Sequence, residues 1–317
     1  MKYIQVSSPL NRNVPRLSLY YLQRLMTKPA LRGMTISLLR SWVALRTRRY
    51  LRRQGDQDQV LAALRADGIA PLGQVLSPEQ CGDILRHLSK KRLSHREGAD
   101  FTIDAKPGDI AFANYALADL VSCPHLLALA NSPAILDLAR HYLGCTPTIS
   151  GLSARWSFPG KASGEVVQKF HRDSEDWLAF RIMVYLTEVG DAAGPHVYVK
   201  GTHLDRRTRR LPVLEDDAVR QRFGAHVQRQ TGAQGFGFAV DTAGLHKGEV
   251  PAGQARLLLS FQYSILPCFL YRYTPELVAT LAHDPYINRL IVRHRRTGSA
   301  LPVPEEEREE QMYSESN

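Results

Sequence analysis

The sequence places a histidine and an aspartate two residues apart in the segment Phe170-His171-Arg172-Asp173. If this segment is a strand, His171 and Asp173 share one face, because alternate side chains of a strand point to opposite sides. An imidazole beside a carboxylate suits a divalent metal ion. A further histidine would complete the set of two histidines and one carboxylate that is typical of non-haem iron sites. Alone, the His-x-Asp pattern is weak evidence, because it often occurs by chance.

A second histidine and an arginine strengthen this hypothesis. His246 lies in a glycine-flanked turn, Gly244-Leu245-His246-Lys247-Gly248, between two predicted strands. Arg256 follows ten residues later and begins a very apolar strand. A buried arginine requires an anionic partner, and its guanidinium matches a carboxylate through two parallel hydrogen bonds. That partner is either a carboxylate of the protein or the carboxylate of a bound ligand.

The elements that must position these residues change in character along the chain. Helical patterns come first, including one that begins at the capping sequence Ser77-Pro78-Glu79-Gln80. Short alternating segments separated by glycine follow, which favours an antiparallel sandwich or barrel with helices added at its N-terminal side. The predicted helices are 57–67, 77–91 and 126–142, and the predicted strands are 68–72, 146–158, 165–170, 180–188, 196–199, 236–240 and 255–264.

Taken in order, these segments resemble the phytanoyl-CoA dioxygenase family over roughly residues 57–266. Each segment is modest alone, but their order and spacing together are specific. The resemblance is carried by Leu64-Arg65-Ala66-Asp67-Gly68-Ile69, Val75-Leu76-Ser77-Pro78-Glu79-Gln80-Cys81, His171-Arg172-Asp173, Gly194-Pro195-His196-Val197-Tyr198-Val199-Lys200-Gly201-Thr202-His203, His246 and Arg256.

The resemblance implies an Fe(II)- and 2-oxoglutarate-dependent dioxygenase that uses O₂. His171, Asp173 and His246 would bind Fe(2+), and Arg256 would hold the distal carboxylate of 2-oxoglutarate; no catalytic residue is expected beyond the metal site. Related halogenases replace the iron-binding carboxylate with a small residue, so the presence of Asp173 favours hydroxylation. In this chain Gly248 stands where relatives often have a small polar residue near 2-oxoglutarate.

The expected fold is mainly β with flanking helices (α+β), a double-stranded β-helix or jelly-roll core with an N-terminal helical extension. The predicted divisions are an extension at 1–55, a dioxygenase domain at 56–300 and an acidic tail at 301–317. Two other functions stay open: a non-catalytic jelly-roll binding or scaffold protein, and a peripheral membrane adaptor acting through residues 1–55.

Weaker candidates surround these residues. His203 matches a position that is usually structural in the family, and Lys200 replaces the family's usual proline. Trp156 and Gln168 either line the pocket or pack in the core. The loop Arg206-Arg207-Thr208-Arg209-Arg210 is either solvated or a clamp for an anionic substrate. One strand face carries polar side chains of which one could contact 2-oxoglutarate: Arg181, Met183, Tyr185 and Thr187.

The net charge of +10 is concentrated at one end of the chain. Residues 1–55 contain 12 lysines or arginines and no acidic residue, whereas the remaining residues are near neutral. Two basic amphipathic helices are predicted there, at about 17–26 and 31–53. They either pack on the body or on a partner protomer, lie on an anionic membrane surface, or bind nucleic acid or another polyanion. We do not expect nucleic acid as a partner. The expected partner is a small-molecule or lipid-linked substrate.

The sequence also excludes some classes of protein. The four cysteines have no paired spacing, which argues against a disulfide framework or a cysteine-type zinc site. No stretch reaches the roughly 18 apolar residues of a membrane-spanning helix. A cytoplasmic protein, peripheral to the membrane if the basic helices bind lipid, is therefore expected.

Overall fold

The structure is a computed structural model with mixed helices and antiparallel sheets. It describes residues 2–3, 14–26, 28–47, 59–95, 99–108, 110–160, 166–173, 176–205, 213–280 and 282–294. The predicted tail at 301–317 and the arginine loop at 206–210 lie outside these described residues.

Helices occupy mainly the first half of the chain. They are α1 (Val14–Leu25), α2 (Pro29–Thr47), α3 (Gln59–Asp67), α4 (Pro78–Leu88), α5 (Leu117–Val121), α6 (Leu126–Ala130), α7 (Pro133–Leu143), α8 (Asp216–Phe223) and α9 (Pro285–Asn288).

Strands dominate the second half. They are β1 (Lys2–Tyr3), β2 (Ile69–Gln74), β3 (Leu93–Ser94), β4 (Phe112–Tyr115), β5 (Thr148–Ser157), β6 (Phe170–His171), β7 (Ala179–Tyr185), β8 (His196–Val199), β9 (Val213–Leu214), β10 (Val227–Gln230), β11 (Phe236–Val240), β12 (His246–Gly248), β13 (Arg256–Ser264), β14 (Tyr271–Arg272), β15 (Glu276–Val278) and β16 (Val292–His294).

Two antiparallel sheets form the centre of the described structure. The larger has the strand order β2-β11-β7-β13-β5-β4-β3, and the smaller has the order β10-β8-β12-β6-β9. Strands far apart in sequence are therefore neighbours, as β12 is to β6 and β13 is to β5. Two-stranded pairs, antiparallel β1-β14 and parallel β15-β16, complete the described sheets.

The larger sheet separates the hydrophobic core from a polar cavity. Along β13, Leu257, Leu259 and Phe261 belong to the main apolar cluster, which also includes residues of α3, α4 and α7. The alternate residues Arg256 and Ser260 line the cavity instead. This division follows from the two-residue period of a strand, and the same alternation occurs on β5 and β7.

The N-terminal helices are attached to the body by arginine side chains. Arg32 on α2 is buried, and its guanidinium donates to the main-chain oxygens of Gln23 and Trp177. The Nε atom of Arg40 donates to Leu143 O at the end of α7, 2.6 Å away. A cation at this position satisfies a helix carbonyl and complements the helix dipole. Both predicted helices are present in the described part of residues 1–55.

Most predicted elements are present, but two predictions are wrong. The predicted helix at 126–142 is two helices, α6 and α7, because Pro133 has no amide hydrogen and begins a new helix after Ser132. The predicted strand at 165–170 is a 3₁₀ turn over Val166–Gln168, and β6 starts only at Phe170. Because β6 ends at His171, Asp173 lies beyond the strand, and the predicted shared strand face of His171 and Asp173 does not form.

The capping sequence at Ser77 forms the expected structure. The Ser77 hydroxyl accepts a hydrogen bond from Gln80 N at 3.2 Å, and Ser77 N donates to Gln80 Oε1 at 2.9 Å. We expect Ser77→Ala to lower the free energy of unfolding by about 1 kcal/mol, since both α4 capping bonds depend on this geometry. Urea unfolding measures this change, and an unchanged midpoint would contradict it. Ser94→Ala, at an exposed serine outside any helix, is the control.

The cysteines are free thiols, as predicted. All four are buried, and burial raises the pKa of both Cys123 and Cys145 to about 12, which makes them poor nucleophiles. Of the described helices, none is both long enough and apolar enough to cross a membrane.

Candidate metal centre

Two histidines face each other on neighbouring strands of the smaller sheet. His246 on β12 pairs directly with His171 on β6 in the antiparallel register. Directly opposed residues project from the same face of a sheet, and the two ring centroids are accordingly 4.3 Å apart. Both side chains are buried, at 5% and 8% exposure for His246 and His171.

Asp173 brings a carboxylate to the same point. Its amide donates to Thr242 O at 2.8 Å, which fixes the chain after β6 beside the turn that precedes β12. Asp173 Oδ1 lies 3.8 Å from His171 Nε2, and Asp173 Oδ2 lies 3.9 Å from His246 Nε2. One potential ligand atom from each of the three residues lies within 4.8 Å of the others. A single divalent ion fits among atoms spaced in this way.

The hydrogen bonds of the two imidazoles leave the correct nitrogen atoms for a metal. His171 Nδ1 contacts Lys169 O at 2.9 Å, and His246 Nδ1 contacts Gly244 O at 3.0 Å. A carbonyl oxygen only accepts, so each Nδ1 carries the proton and each Nε2 keeps a free lone pair. Such bonds from the distal nitrogen are how proteins orient metal-binding histidines.

The turn that carries His246 is held rigidly. Asp241 Oδ2 accepts a hydrogen bond from the Tyr142 hydroxyl at 2.5 Å, and Asp241 Oδ1 accepts one from Ala243 N at 2.9 Å. The Arg172 guanidinium, pointing away from the metal centre, donates to Thr202 O and Ala243 O. These bonds tie the segments carrying Asp173 and His246 to one another.

The electrostatics keep His246 and Asp173 in the protonation states that bind metal. Burial, with a smaller contribution from neighbouring His171, lowers the pKa of His246 to about 3, so its imidazole is neutral near pH 7. Burial acts to raise the pKa of Asp173, but His246, Arg181 and His171 outweigh it and hold that pKa below its usual value. Neutral imidazoles and an ionised carboxylate are the forms that coordinate a metal.

A cavity of about 330 Å³ adjoins the three residues. Its wall comes from both sheets and carries polar side chains, with Ser153, Ser260 and Gln262 on the strands β5 and β13 opposite the histidines. Asp173 is the only carboxylate among the described lining residues, whereas three arginines, Arg155, Arg181 and Arg256, also line it.

Arg256 has unused hydrogen-bonding capacity inside this cavity. The residue is 4% exposed, and its Nη2 donates to Ser157 Oγ at 3.2 Å. Its Nε and Nη1 atoms have no hydrogen-bond partner, and no carboxylate among the described residues forms an ion pair with it. Buried guanidinium groups without an anion are costly, so these atoms fit the carboxylate of a bound ligand better than a purely structural role.

The predicted site residues therefore converge. The structure brings His171, Asp173, His246 and Arg256 to one cavity, and a Cβ atom on Gly248 would lie 3.0 Å from Arg256 Nη2. This places position 248 next to the guanidinium. Of the four candidates on the strand face, Arg181 and Met183 line the cavity, whereas Tyr185 donates to Gln230 O and Thr187 accepts from Leu257 N. The other weaker candidates that do not line the cavity are His203, Trp156 and Gln168.

Sequence reasoning missed His196. Its ring stacks on that of His246 with centroids 5.5 Å apart, its Nε2 is buried without a partner, and it lines the cavity. Burial lowers the pKa of His196 well below its usual value, so the ring is neutral. The sequence signal that could have identified His196 is its place in the Gly194-Pro195-His196 segment. It lies two residues from Tyr198, which pairs with His246.

Arg181 was predicted only as one of four residues on a strand face. The structure places its Nη2 3.4 Å from Asp173 Oδ2.

Comparison by sequence finds one family. The family model described as phytanoyl-CoA dioxygenase matches residues 64–248, which is more than half of the chain. The match includes His171, Asp173 and His246. No curated protein matches the sequence.

Comparison by structure finds many similar chains. HygX from Streptomyces hygroscopicus, with nickel and 2-oxoglutarate bound, has 15% identity and a TM-score of 0.49, covering 76% of this chain and 98% of its own. The epimerase SnoN from nogalamycin biosynthesis, in complex with Fe3+, alpha ketoglutarate and nogalamycin RO, has 21% identity and a TM-score of 0.47, covering 65% and 82%. EctD from S. alaskensis with bound Fe has 18% identity and a TM-score of 0.45, covering 77% and 90%.

Proposed function

The chain belongs to the phytanoyl-CoA dioxygenase family, and on that basis we propose that it is an Fe(II)- and 2-oxoglutarate-dependent oxygenase. The observation that carries this proposal is the convergence of three metal-binding groups beside a buried arginine with free donors. His171, Asp173 and His246 offer two neutral Nε2 atoms and one carboxylate. This donor set suits Fe(II) and leaves three coordination positions for co-substrate and oxygen.

The residues of this chain have distinct roles in that proposal. The three ligands hold the iron, and Arg256 binds the distal carboxylate of 2-oxoglutarate through its Nε and Nη1 atoms. When bound, the iron and 2-oxoglutarate supply the oxidative decarboxylation that activates O₂ for attack on a substrate. The burial of Arg256, His171 and His246 keeps water from these side chains, which strengthens their interactions.

Membership of this family also supports a proposal about the fold. The two antiparallel sheets, with the metal centre on the smaller one and the arginine on the larger one, correspond to a jelly-roll or double-stranded β-helix core. We place its domain at 56–300, with residues 1–55 as an N-terminal extension. The strand order supports this proposal, since each sheet joins strands that are distant in sequence.

The cavity favours a small anionic substrate and hydroxylation. Its volume of about 330 Å³ lies at the low end of the roughly 300–1,000 Å³ of small-molecule sites. Arg181 pairs with Asp173. Arg155 also lines the cavity, and we infer that it binds the substrate anion. Arg155 is partly buried. Its Nε donates to Asn114 Oδ1 at 3.0 Å, and its guanidinium lies 5.6 Å from the Phe112 ring centroid.

The proposed reaction is hydroxylation. Asp173 would supply a carboxylate ligand where a halogenase would need a position for halide.

The function is tested by measuring succinate release from 2-oxoglutarate in the presence of Fe(II), O₂ and a panel of small carboxylates and phosphate esters. We expect succinate formation that a member of the panel stimulates, with one oxygen atom added to that compound by mass spectrometry. Absence of succinate from correctly folded, iron-loaded protein would favour a non-catalytic binding protein with the same fold.

Substrate recognition by Arg155 gives a separate prediction. Arg155→Gln should lower kcat/KM for the anionic substrate by about 10- to 100-fold, because hydrogen bonds to charged groups contribute about 1.5–3 kcal/mol. The Kd for 2-oxoglutarate should not change, since Arg256 binds that carboxylate. Steady-state kinetics measure kcat/KM, and anaerobic titration of the iron-loaded protein measures the Kd for 2-oxoglutarate. Arg86→Gln, at an exposed arginine, is the control. An equal loss for uncharged and anionic substrates would contradict the role.

A further inference from the structure

Helix α2 exposes a continuous apolar stripe. Five large apolar residues on it are between 48% and 69% exposed: Leu31, Met34, Leu38, Trp42 and Leu45. At 3.6 residues per turn these positions fall within an arc of about 80° around the helix. Single exposed apolar residues are ordinary, but a row of five on one face marks an interaction surface.

The opposite face of α2 packs against the body of the protein. Ile36, Leu39 and Val43 pack against the main core cluster, and Val43 is fully buried. The Arg40 bond to Leu143 O adds a polar attachment on the same side. The body therefore holds the helix in one orientation, with the stripe pointing outward. Helix α1 adds Leu19, Leu22 and Leu25, each at least 46% exposed.

The segment that carries this stripe is basic in sequence. Residues 1–55 contain 12 basic residues and no acidic residue. Exposed Arg24 and Lys28 lie at the junction of α1 and α2, and the Arg46 guanidinium lies 5.4 Å from the Trp42 ring centroid. Basic side chains beside an aromatic residue on an apolar helix face are the arrangement of helices that lie in a membrane interface.

We propose that α1 and α2 form a membrane-binding surface that places the α2 stripe in the headgroup region of an anionic lipid bilayer. Anionic lipid complements both properties of the surface, since the acyl boundary accepts Leu38 and Trp42 while the headgroups attract the basic residues. A second copy of this chain complements only the apolar part, because it would bring two strongly basic segments together. The inference goes beyond the proposed oxygenase function and does not depend on it.

The same segment also borders the cavity. Arg16 on α1 donates from Nη2 to Tyr271 O at 3.0 Å, and β1 pairs with β14, the strand that contains Tyr271. Tyr271 lines the cavity beside the metal centre. Membrane binding through α1 and α2 would therefore hold this edge of the cavity close to the bilayer.

The test is sedimentation of the full-length protein with vesicles. We expect the protein to sediment with phosphatidylcholine vesicles that contain phosphatidylserine, to remain in the supernatant with pure phosphatidylcholine, and to be released by high salt. Tryptophan emission should shift to shorter wavelength on binding, because Trp42 is half-exposed in the free protein.

Variants separate the apolar and basic contributions. The double variant Leu38→Ser with Trp42→Ser should lower vesicle affinity by at least about 10-fold, since it removes two side chains that bury in the bilayer. Arg24→Gln with Lys28→Gln should weaken binding only to phosphatidylserine vesicles. Leu204→Ser with Leu277→Ser, at exposed leucines outside α1 and α2, is the matched control and should bind as wild type does.

Three outcomes would overturn the proposal. The first is wild-type protein that stays in the supernatant with phosphatidylserine vesicles, and the second is a Leu38 and Trp42 double variant that binds these vesicles as well as wild type does. The third is a wild-type dimer by light scattering that the double variant converts to a monomer, without vesicle binding by either. That last result would assign the stripe to a second copy of the chain.

Discussion

Asp173→Ala is expected to abolish oxygenase activity and to lower the affinity for Fe(II) by more than about 100-fold. Loss of a group that merely orients a metal ligand typically costs about 10- to 100-fold, and Asp173 supplies the only carboxylate among the described residues of the cavity. Its removal also leaves His171 and His246 as a two-ligand site. Calorimetric titration of the metal-free protein with Fe(II) under anaerobic conditions measures the affinity.

The control for this variant must show that the fold survives. Asp173 Oδ2 also accepts from Arg181 at 3.4 Å, so Asp173→Ala leaves one arginine without that partner. Asp104→Ala, in a 3₁₀ turn outside the cavity, should bind Fe(II) as wild type does. Wild-type affinity in Asp173→Ala, with an unchanged unfolding midpoint, would show that this carboxylate is not a ligand.

Arg256→Ala is expected to weaken 2-oxoglutarate binding by about 2–5 kcal/mol, which corresponds to roughly 30- to 5,000-fold in Kd. The carboxylate would lose the buried guanidinium that the proposal assigns to it. Fe(II) binding should be nearly unchanged, because Arg256 is not among the three converging ligands. Titration of the iron-loaded protein with 2-oxoglutarate under anaerobic conditions measures this difference.

A conservative variant tests whether Arg256 acts through its two parallel hydrogen bonds or only through its charge. Arg256→Lys keeps the charge but not the two parallel hydrogen bonds, so its Kd for 2-oxoglutarate should fall between those of wild type and Arg256→Ala. Arg155→Ala serves as the matched control at another cavity arginine. If Arg256→Ala bound 2-oxoglutarate as tightly as wild type, the arginine would have a structural role only.

The grouping of His171, Asp173, His246 and Arg256 at one cavity was predictable through the family resemblance. The His-x-Asp pattern alone is weak evidence, and it was the order of the matching segments along the chain that pointed to all four residues. The cross-strand register was not predictable, because His171 and His246 meet through pairing of strands 75 residues apart. His196 was missed for the same reason: only the pairing of β8 with β12 brings it to the cavity.

Secondary structure was predicted best where the pattern is strong. The predicted strands 196–199 and 236–240 have the observed bounds, and the capping sequence at Ser77 begins α4 as expected. Very short strands such as β6 and β12 have no period long enough to detect, and sheet pairing alone creates them. The sequence also predicted an amphipathic α2 but not its orientation. Tertiary packing buries Ile36, Leu39 and Val43 rather than the stripe.

The central claim is that iron and 2-oxoglutarate bind together at His171, Asp173, His246 and Arg256. The most direct measurement is anaerobic addition of Fe(II) and 2-oxoglutarate to metal-free protein, followed by visible absorption spectroscopy. We predict a metal-to-ligand charge-transfer band that is absent in His171→Ala and weaker in Arg256→Ala. A folded wild-type protein that shows no such band would contradict the claim.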